Sequence, residues 1–183
     1  MPQRCTTRAF TSVLALIASF GTASAAETDI TIGMQLEPPH LDPTSAAAGA
    51  IDNVVYSNIF EGLTRFMGDG SVVPGLAKSW DISDDGLRYT FHLRGNVQFH
   101  DGTAMDAADV KFSLDRARAE DSTNAQKALF AGIADVAVID PLTVALTLEA
   151  PNGNLLFNLA WGDAVIVAPE TIEAIKSLSL IHI

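Results

Sequence analysis

A chain of 183 residues with 22 acidic and 11 basic side chains carries a formal charge of −11, which argues against nucleic acid or an anionic membrane surface as a partner. The length fits one domain, and no apolar run reaches the ~20 residues of a membrane-spanning helix. The single cysteine, Cys5, lies near the start, so the fold rests on an apolar core and not on disulfides.

Residues 1–25 read as a cleaved export signal. Arg4 and Arg8 form a positive start, residues 9–20 are an apolar run too short to cross a bilayer, and Ala23-Ser24-Ala25 is a small-residue cleavage site. Cys5 precedes the apolar run, so it is not placed as a lipid-attachment cysteine and would leave with the signal. Residues 28–35 alternate, with Ile30, Ile32 and Met34 on one side, and predict a first strand. Pro38 and Pro39 end it, because each removes a donor and holds extended backbone. Leu41-Asp42-Pro43 follows as a turn.

Ile51, Val54, Val55, Ile59 and Leu63 recur at helical spacing and predict a helix over 51–63, with Gly62 as its C-terminal cap. A strand over 63–67 ends at Gly68-Asp69-Gly70, a hairpin signal. A second strand covers 79–82, and Ser83-Asp84-Asp85-Gly86 is the turn after it. Residues 87–93 alternate strongly: Leu87, Tyr89, Phe91 and Leu93 face one way, Arg88, Thr90 and His92 the other, as in a half-buried antiparallel strand.

Asp106 predicts a helix N-cap, with Asp109 at the third position favouring the positive helix end. Val110, Leu114 and Ala117 form the apolar stripe, and Arg116 and Arg118 lie near the C-terminal end. After a polar loop over 120–124, residues 133–139 and 143–148 alternate around Asp140-Pro141 and predict a hairpin. A short helix over 155–159, a strand over 164–167 and a helix starting at Pro169 complete the chain. Strands and helices intermix without regular βαβ alternation, which predicts a mixed α+β or mixed α/β layer.

Chemistry-bearing clusters are few. Asp81, Ser83, Asp85 and Gly86 resemble the opening of a calcium loop, but its twelfth position is His92 where a bidentate glutamate is needed, so a β-turn is expected. His92 and His100 match no usual zinc-ligand spacing. His92 is expected on the polar strand face, and His100 is expected to hydrogen-bond local backbone. No nucleophile elbow, zinc-protease helix or phosphate loop is present, so no catalytic residue, metal or cofactor is assigned. Trp80 is expected in the core and Trp161 is open to a core or a stacking role. Arg94 is expected to bond a neighbouring turn.

Six short blocks in order are Leu-Asp-Pro at 41–43, Glu-Gly-Leu at 61–63, Pro-Gly-Leu-Ala-x-Ser-Trp at 74–80, Asp-Gly-x-x-Tyr-Thr-Phe-x-Leu-Arg at 85–94, Phe-His-Asp-Gly at 99–102 and Ala-x-Asp-Val at 107–110. Together they resemble the family 5 extracellular solute-binding proteins of peptide and nickel ABC transporters. The resemblance extends from about residue 30 to 176. It implies a two-lobed, type II-like periplasmic binding protein fold, of which this chain is the N-terminal part. Residues 26–60 would begin the first lobe, 61–176 would form an inserted mixed α/β domain, and 177–183 would be a truncated or non-native tail.

The same resemblance implies capture of a peptide or similar small solute in the periplasm, by closure about a hinge, and delivery to an inner-membrane ABC permease. It implies a monomer and no enzymatic activity. Solute contact would come from the loop after the Leu-Asp-Pro block: Ser45, Ala46, Ala47, Ala48 and Gly49. These residues are small and uncharged, so contact would be through backbone and shape. Charged groups that hold peptide termini in the family belong to the second lobe, so the solute (peptide, nickel complex, glutathione) stays open. The alternatives from other classes are a secreted hydrolase with unfamiliar machinery and a ligand-presenting partner of a chemoreceptor.

Overall fold

The strand Arg88–Leu93 (β4) is the centre of the molecule. Its alternation is realised, with Tyr89, Phe91 and Leu93 buried and Arg88 exposed. In the computed structural model, which describes residues 31–45, 49–56 and 58–172, β4 is paired on both sides. On one side lies β3 (Ala77–Ile82), with Trp80 opposite Phe91. On the other lies β6 (Thr143–Leu148), with Val144 opposite Phe91. The strand β5 (Ile133–Asp140) closes the order β3-β4-β6-β5, all antiparallel. The 83–86 turn joins β3 to β4. Gly86 there has φ +68°, a conformation glycine adopts without side-chain conflict, and its amide donates to the Ser83 carbonyl at 2.8 Å.

The 12-residue helix Ala107–Arg118 (α2, the second in the chain) covers one face of this sheet. Asp106 caps it and accepts from the Ala108 amide at 2.7 Å. Asp109 reaches back to the Asp106 amide at 2.8 Å, a reciprocal capping box. Val110, Leu114 and Ala117 are buried against Phe91, Val136, Val144 and Leu146 in one apolar cluster. Polar arms then fix the helix in place: Lys111 Nζ donates to the Val136 carbonyl at 2.8 Å and Arg118 Nη1 to the Ile133 carbonyl at 2.9 Å. Both also pair with Asp115, at 2.8 and 2.7 Å.

Ahead of the sheet lie α1 (Gly49–Val55) and a two-stranded ribbon of β1 (Thr64–Phe66) and β2 (Val72–Pro74), turned by 68–70. Short helices α3 (Lys127–Phe130) and α4 (Leu155–Asn158) and 3-10 turns at Gly162–Ala164 and Pro169–Thr171 complete the architecture. Residues from Met34 onward form one unit; 31–33 belong to a separate N-terminal one. Among the described residues no helix is long and apolar enough to cross a membrane.

Several sequence expectations are corrected. Residues 28–30 of the expected first strand lie outside the described residues. Residues 31–35 form no strand, and Ile32 and Met34 are exposed, because no described segment pairs with them. The first helix ends at Val55, not Leu63. The Val55 carbonyl accepts from both Ile59 (2.9 Å) and Phe60 (3.0 Å), which coils the chain off the helix axis, and Ile59 is exposed.

Gly62 therefore caps nothing. It bridges Val165, and its own carbonyl would lie 2.6 Å from a Cβ added to Gly75. A Cβ on Gly62 would in turn stand 2.8 Å from the Leu159 carbonyl, so the glycines of the second and third motif blocks are explained by two successive close backbone approaches. Residues 164–167 are not a strand beyond that single bridge. The Ile166 amide donates to Glu61, and the Val167 amide to Ser113 Oγ at 3.0 Å, so other partners take the bonds a strand ladder would use. The helix expected from Pro169 opens as a three-residue 3-10 turn followed by helical backbone at Ile172, and the rest of it lies outside the described residues.

Candidate functional site

The segment leading to the candidate solute loop is anchored by a buried charge. Asp42, of the Leu-Asp-Pro block, is completely buried. Its Oδ1 accepts from the Thr44 amide at 2.9 Å and the Thr44 hydroxyl at 2.5 Å, the local turn an Asp two residues before a Thr favours. Its Oδ2 accepts from Arg116 Nη2 of α2 at 3.2 Å, and Arg116 Nη1 donates to the Thr44 hydroxyl. Burial pushes the Asp42 carboxyl up, but the Thr44 hydroxyl and amide and the Arg116 charge outweigh it and hold the group below its ordinary value. His40 Nδ1 accepts from the Asp42 amide at 3.2 Å. The network is closed, as a buried ion pair requires.

The loop starts where this anchor ends. Ser45 is half-buried, with its hydroxyl 3.5 Å from the Asp42 carbonyl. Gly49 is exposed at the start of α1, with nothing within 4 Å of an added Cβ. Ala46, Ala47 and Ala48 lie outside the described residues. Beside the anchor a polar hollow of about 230 Å³ is lined by Thr44, Arg116, Ala119, Asp121, Ser122 and Thr123. A larger hollow of about 270 Å³ is apolar, walled by Phe60, Leu76, Phe99, Met105 and Ile166, and no described residue before Ile59 lines it.

The far end of α1 docks on the 160–163 segment. Tyr56 Oη donates to the Ala160 carbonyl at 2.5 Å, and Asp52 Oδ1 lies 2.6 Å from where a Cβ on Gly162 would stand. Asp52 thereby faces Asp163, which is buried and whose carbonyl accepts from Asn124 Nδ2 at 2.9 Å. Burial and then the Asp52 charge push the Asp163 carboxyl up to about 6; burial also raises Asp52. Among the described residues neither carboxylate has a cationic partner within ion-pair distance. Nearby, Phe66 stacks on Tyr56 (5.6 Å) and Phe157 (5.7 Å), and Trp161 packs edge-on to Phe157, so Trp161 belongs to an aromatic cluster at the surface.

The other singled-out residues are placed as follows. Asp85 is taken up by Ser83 Oγ (2.6 Å) and the Leu87 amide (3.0 Å), the expected turn. His92 pairs with Asp81 at 2.8 Å on the polar strand face. His100 is exposed and makes no side-chain hydrogen bond among the described residues, against the expected backbone bond. Trp80 tilts on Phe91 at 6.2 Å, and Arg94 Nη1 donates to the Gly75 carbonyl at 3.2 Å, both as expected.

Sequence reasoning missed the roles of Arg116, Asp52 and Asp163. The Asp-x-Thr/Ser turn at 42–44 recurs at 69–71 and 101–103, and of these three aspartates Asp42 is the buried one. The same spacing at 81–83 and 121–123 forms no such turn among the described residues, so the pattern by itself does not single out Asp42.

A family model for bacterial extracellular solute-binding proteins, family 5 (middle region), matches residues 71–176. The chain belongs to this family. The family is one of binding proteins, not catalysts, so the hydrolase alternative falls. A family 5 relative, the glutathione-binding protein GsiB of Pectobacterium atrosepticum, is 40% identical over 129 residues, 70% of this chain and 25% of that protein. Among solved structures, the PBP AgaA from A. tumefaciens R10 in complex with agropinic acid matches with TM-score 0.71 and 32% identity, over 79% of this chain and 29% of that one. The periplasmic binding protein DppA of Helicobacter pylori, in complex with the peptide STSA, matches with TM-score 0.64 and 28% identity, over 75% and 30%. The chain spans less than a third of the length of each.

Proposed function

We propose that the chain is part of the solute-capturing component of an ABC importer, taking up a peptide, with glutathione the first candidate, and handing it to an inner-membrane permease. The observation that carries this reading is the 40% identity to a glutathione-binding protein over most of the chain. The likeness to a structure holding a tetrapeptide supports the same class, since glutathione is itself a short peptide. In this reading residues 26–60 begin the first lobe, 61–176 are the inserted domain, and Ser45, Ala46, Ala47, Ala48 and Gly49 meet the solute. The buried Asp42–Arg116 anchor supports that assignment by tying the loop to the domain beside it. The export signal over 1–25 and the tail over 177–183 lie outside the described residues; removal of the signal near Ala25 would deliver a monomer to the periplasm. A protein that presents bound solute to a chemoreceptor would need the same site, so it is a second use and not a rival chemistry.

Calorimetry on the whole mature binding protein tests the reading. Titration with glutathione, Ser-Thr-Ser-Ala and a nickel–histidine complex is expected to give saturable binding with glutathione or the tetrapeptide. No heat of binding in any of the three titrations would contradict it.

A further inference from the structure

We propose that Arg116 is a positioning residue for Ser45, the first residue of the solute loop; this rests on the reading that the loop meets the solute. The guanidinium is committed inside the fold and is not a ligand clamp. Both of its contacting nitrogens are spent on Asp42 and Thr44, and the Asp42 carboxylate neutralises its charge. What it does is join two parts of the chain 74 residues apart. Its helix is immobilised independently of it, by Ser113 exchanging hydrogen bonds with Val167 (3.0 and 3.2 Å), by Lys111 on Val136 and by Arg118 on Ile133.

A fixed helix therefore presents a planar fork to the turn that sets the loop's first residue. The two bonds leave from different nitrogens and land on different residues, so they fix orientation as well as distance. Lysine, a single point of charge, reaches one acceptor well and leaves the other to water. Because the guanidinium also borders the polar hollow, loss of the fork opens the turn to solvent without touching the sheet core.

Site-resolved amide hydrogen exchange on the full chain tests this. In Arg116→Gln the Thr44 amide, bonded to Asp42, is expected to exchange at least tenfold faster, with the Phe91 and Leu146 amides of the sheet unchanged. Arg116→Lys is expected to fall between, and carries the test alone if the Gln variant does not fold. Unchanged exchange at Thr44, or acceleration shared equally by Phe91 and Leu146, would overturn the proposal. The solute-loop reading fails separately, if a bulky side chain at Gly49 leaves solute affinity intact.

Discussion

Phe91→Ala is expected to destabilise the fold by about 3–5 kcal/mol, the range for emptying a large aromatic site in a packed core. Phe91 has no exposed surface, sits on the central strand between Trp80 and Val144, and stacks on Tyr89 at 6.4 Å. The atoms around it belong to paired strands and to the capped helix α2, so the cavity cannot collapse without shearing the sheet. A loss of this size consumes much of the ~5–15 kcal/mol that holds an ordinary domain folded. Urea denaturation measures it as a lower midpoint at unchanged slope. A cost below about 1 kcal/mol would mean that β4 is not the centre of the core.

Asp163→Asn has the opposite sign. The folded protein holds the Asp163 carboxyl at about 6, against 3.8 for the free group. Between those values the native state binds more protons than the unfolded state, so stability falls as pH rises from about 4 to about 6. At neutral pH Asp163 is charged beside the Asp52 carboxyl, with no cation at ion-pair distance among the described residues. The asparagine keeps the shape and removes one charge. It is expected to stabilise the fold at pH 7 by about 1–3 kcal/mol, and to change little below pH 4. Thermal melts of both proteins across pH 4–8 check this; parallel curves with no gap opening above pH 5 would contradict it.

These two sites differ in how far the sequence disclosed them. The role of Phe91 follows from a period of two with aromatic and aliphatic residues on one side, a pattern that only a half-buried strand satisfies. The Asp106 cap is likewise local, since its partners lie within three residues. Local spacing misleads where the chain leaves a helix early. Ile59 and Leu63 continue the period of the first helix, yet Leu63 is buried through the hairpin it enters and Ile59 is left exposed. The apolar run at 164–167 looks like a strand because all of it is buried, but its bonds go to Ser113 and Glu61, far away in sequence.

The candidate site was the least legible part. Nothing in the spacing of Ser45 and Gly49 indicates contact with a solute, and the family resemblance alone directs attention there. Arg116 reads naturally as a basic residue favouring the negative end of its helix. Its pairing with Asp42 is a tertiary fact that no window of neighbouring residues contains. The Asp52–Asp163 approach depends in the same way on a glycine at 162 that lets one carboxylate lie on the backbone next to the other.

The most direct measurement of the account is solute affinity after filling the loop. Gly49 is exposed and a Cβ added there meets nothing within 4 Å, so Gly49→Trp is expected to fold as the natural protein does. If the loop meets the solute, calorimetry on the whole mature protein should show the dissociation constant for its bound solute (glutathione or the tetrapeptide) rising at least tenfold, with an unchanged melting temperature. An unchanged dissociation constant in the tryptophan variant would contradict the central claim.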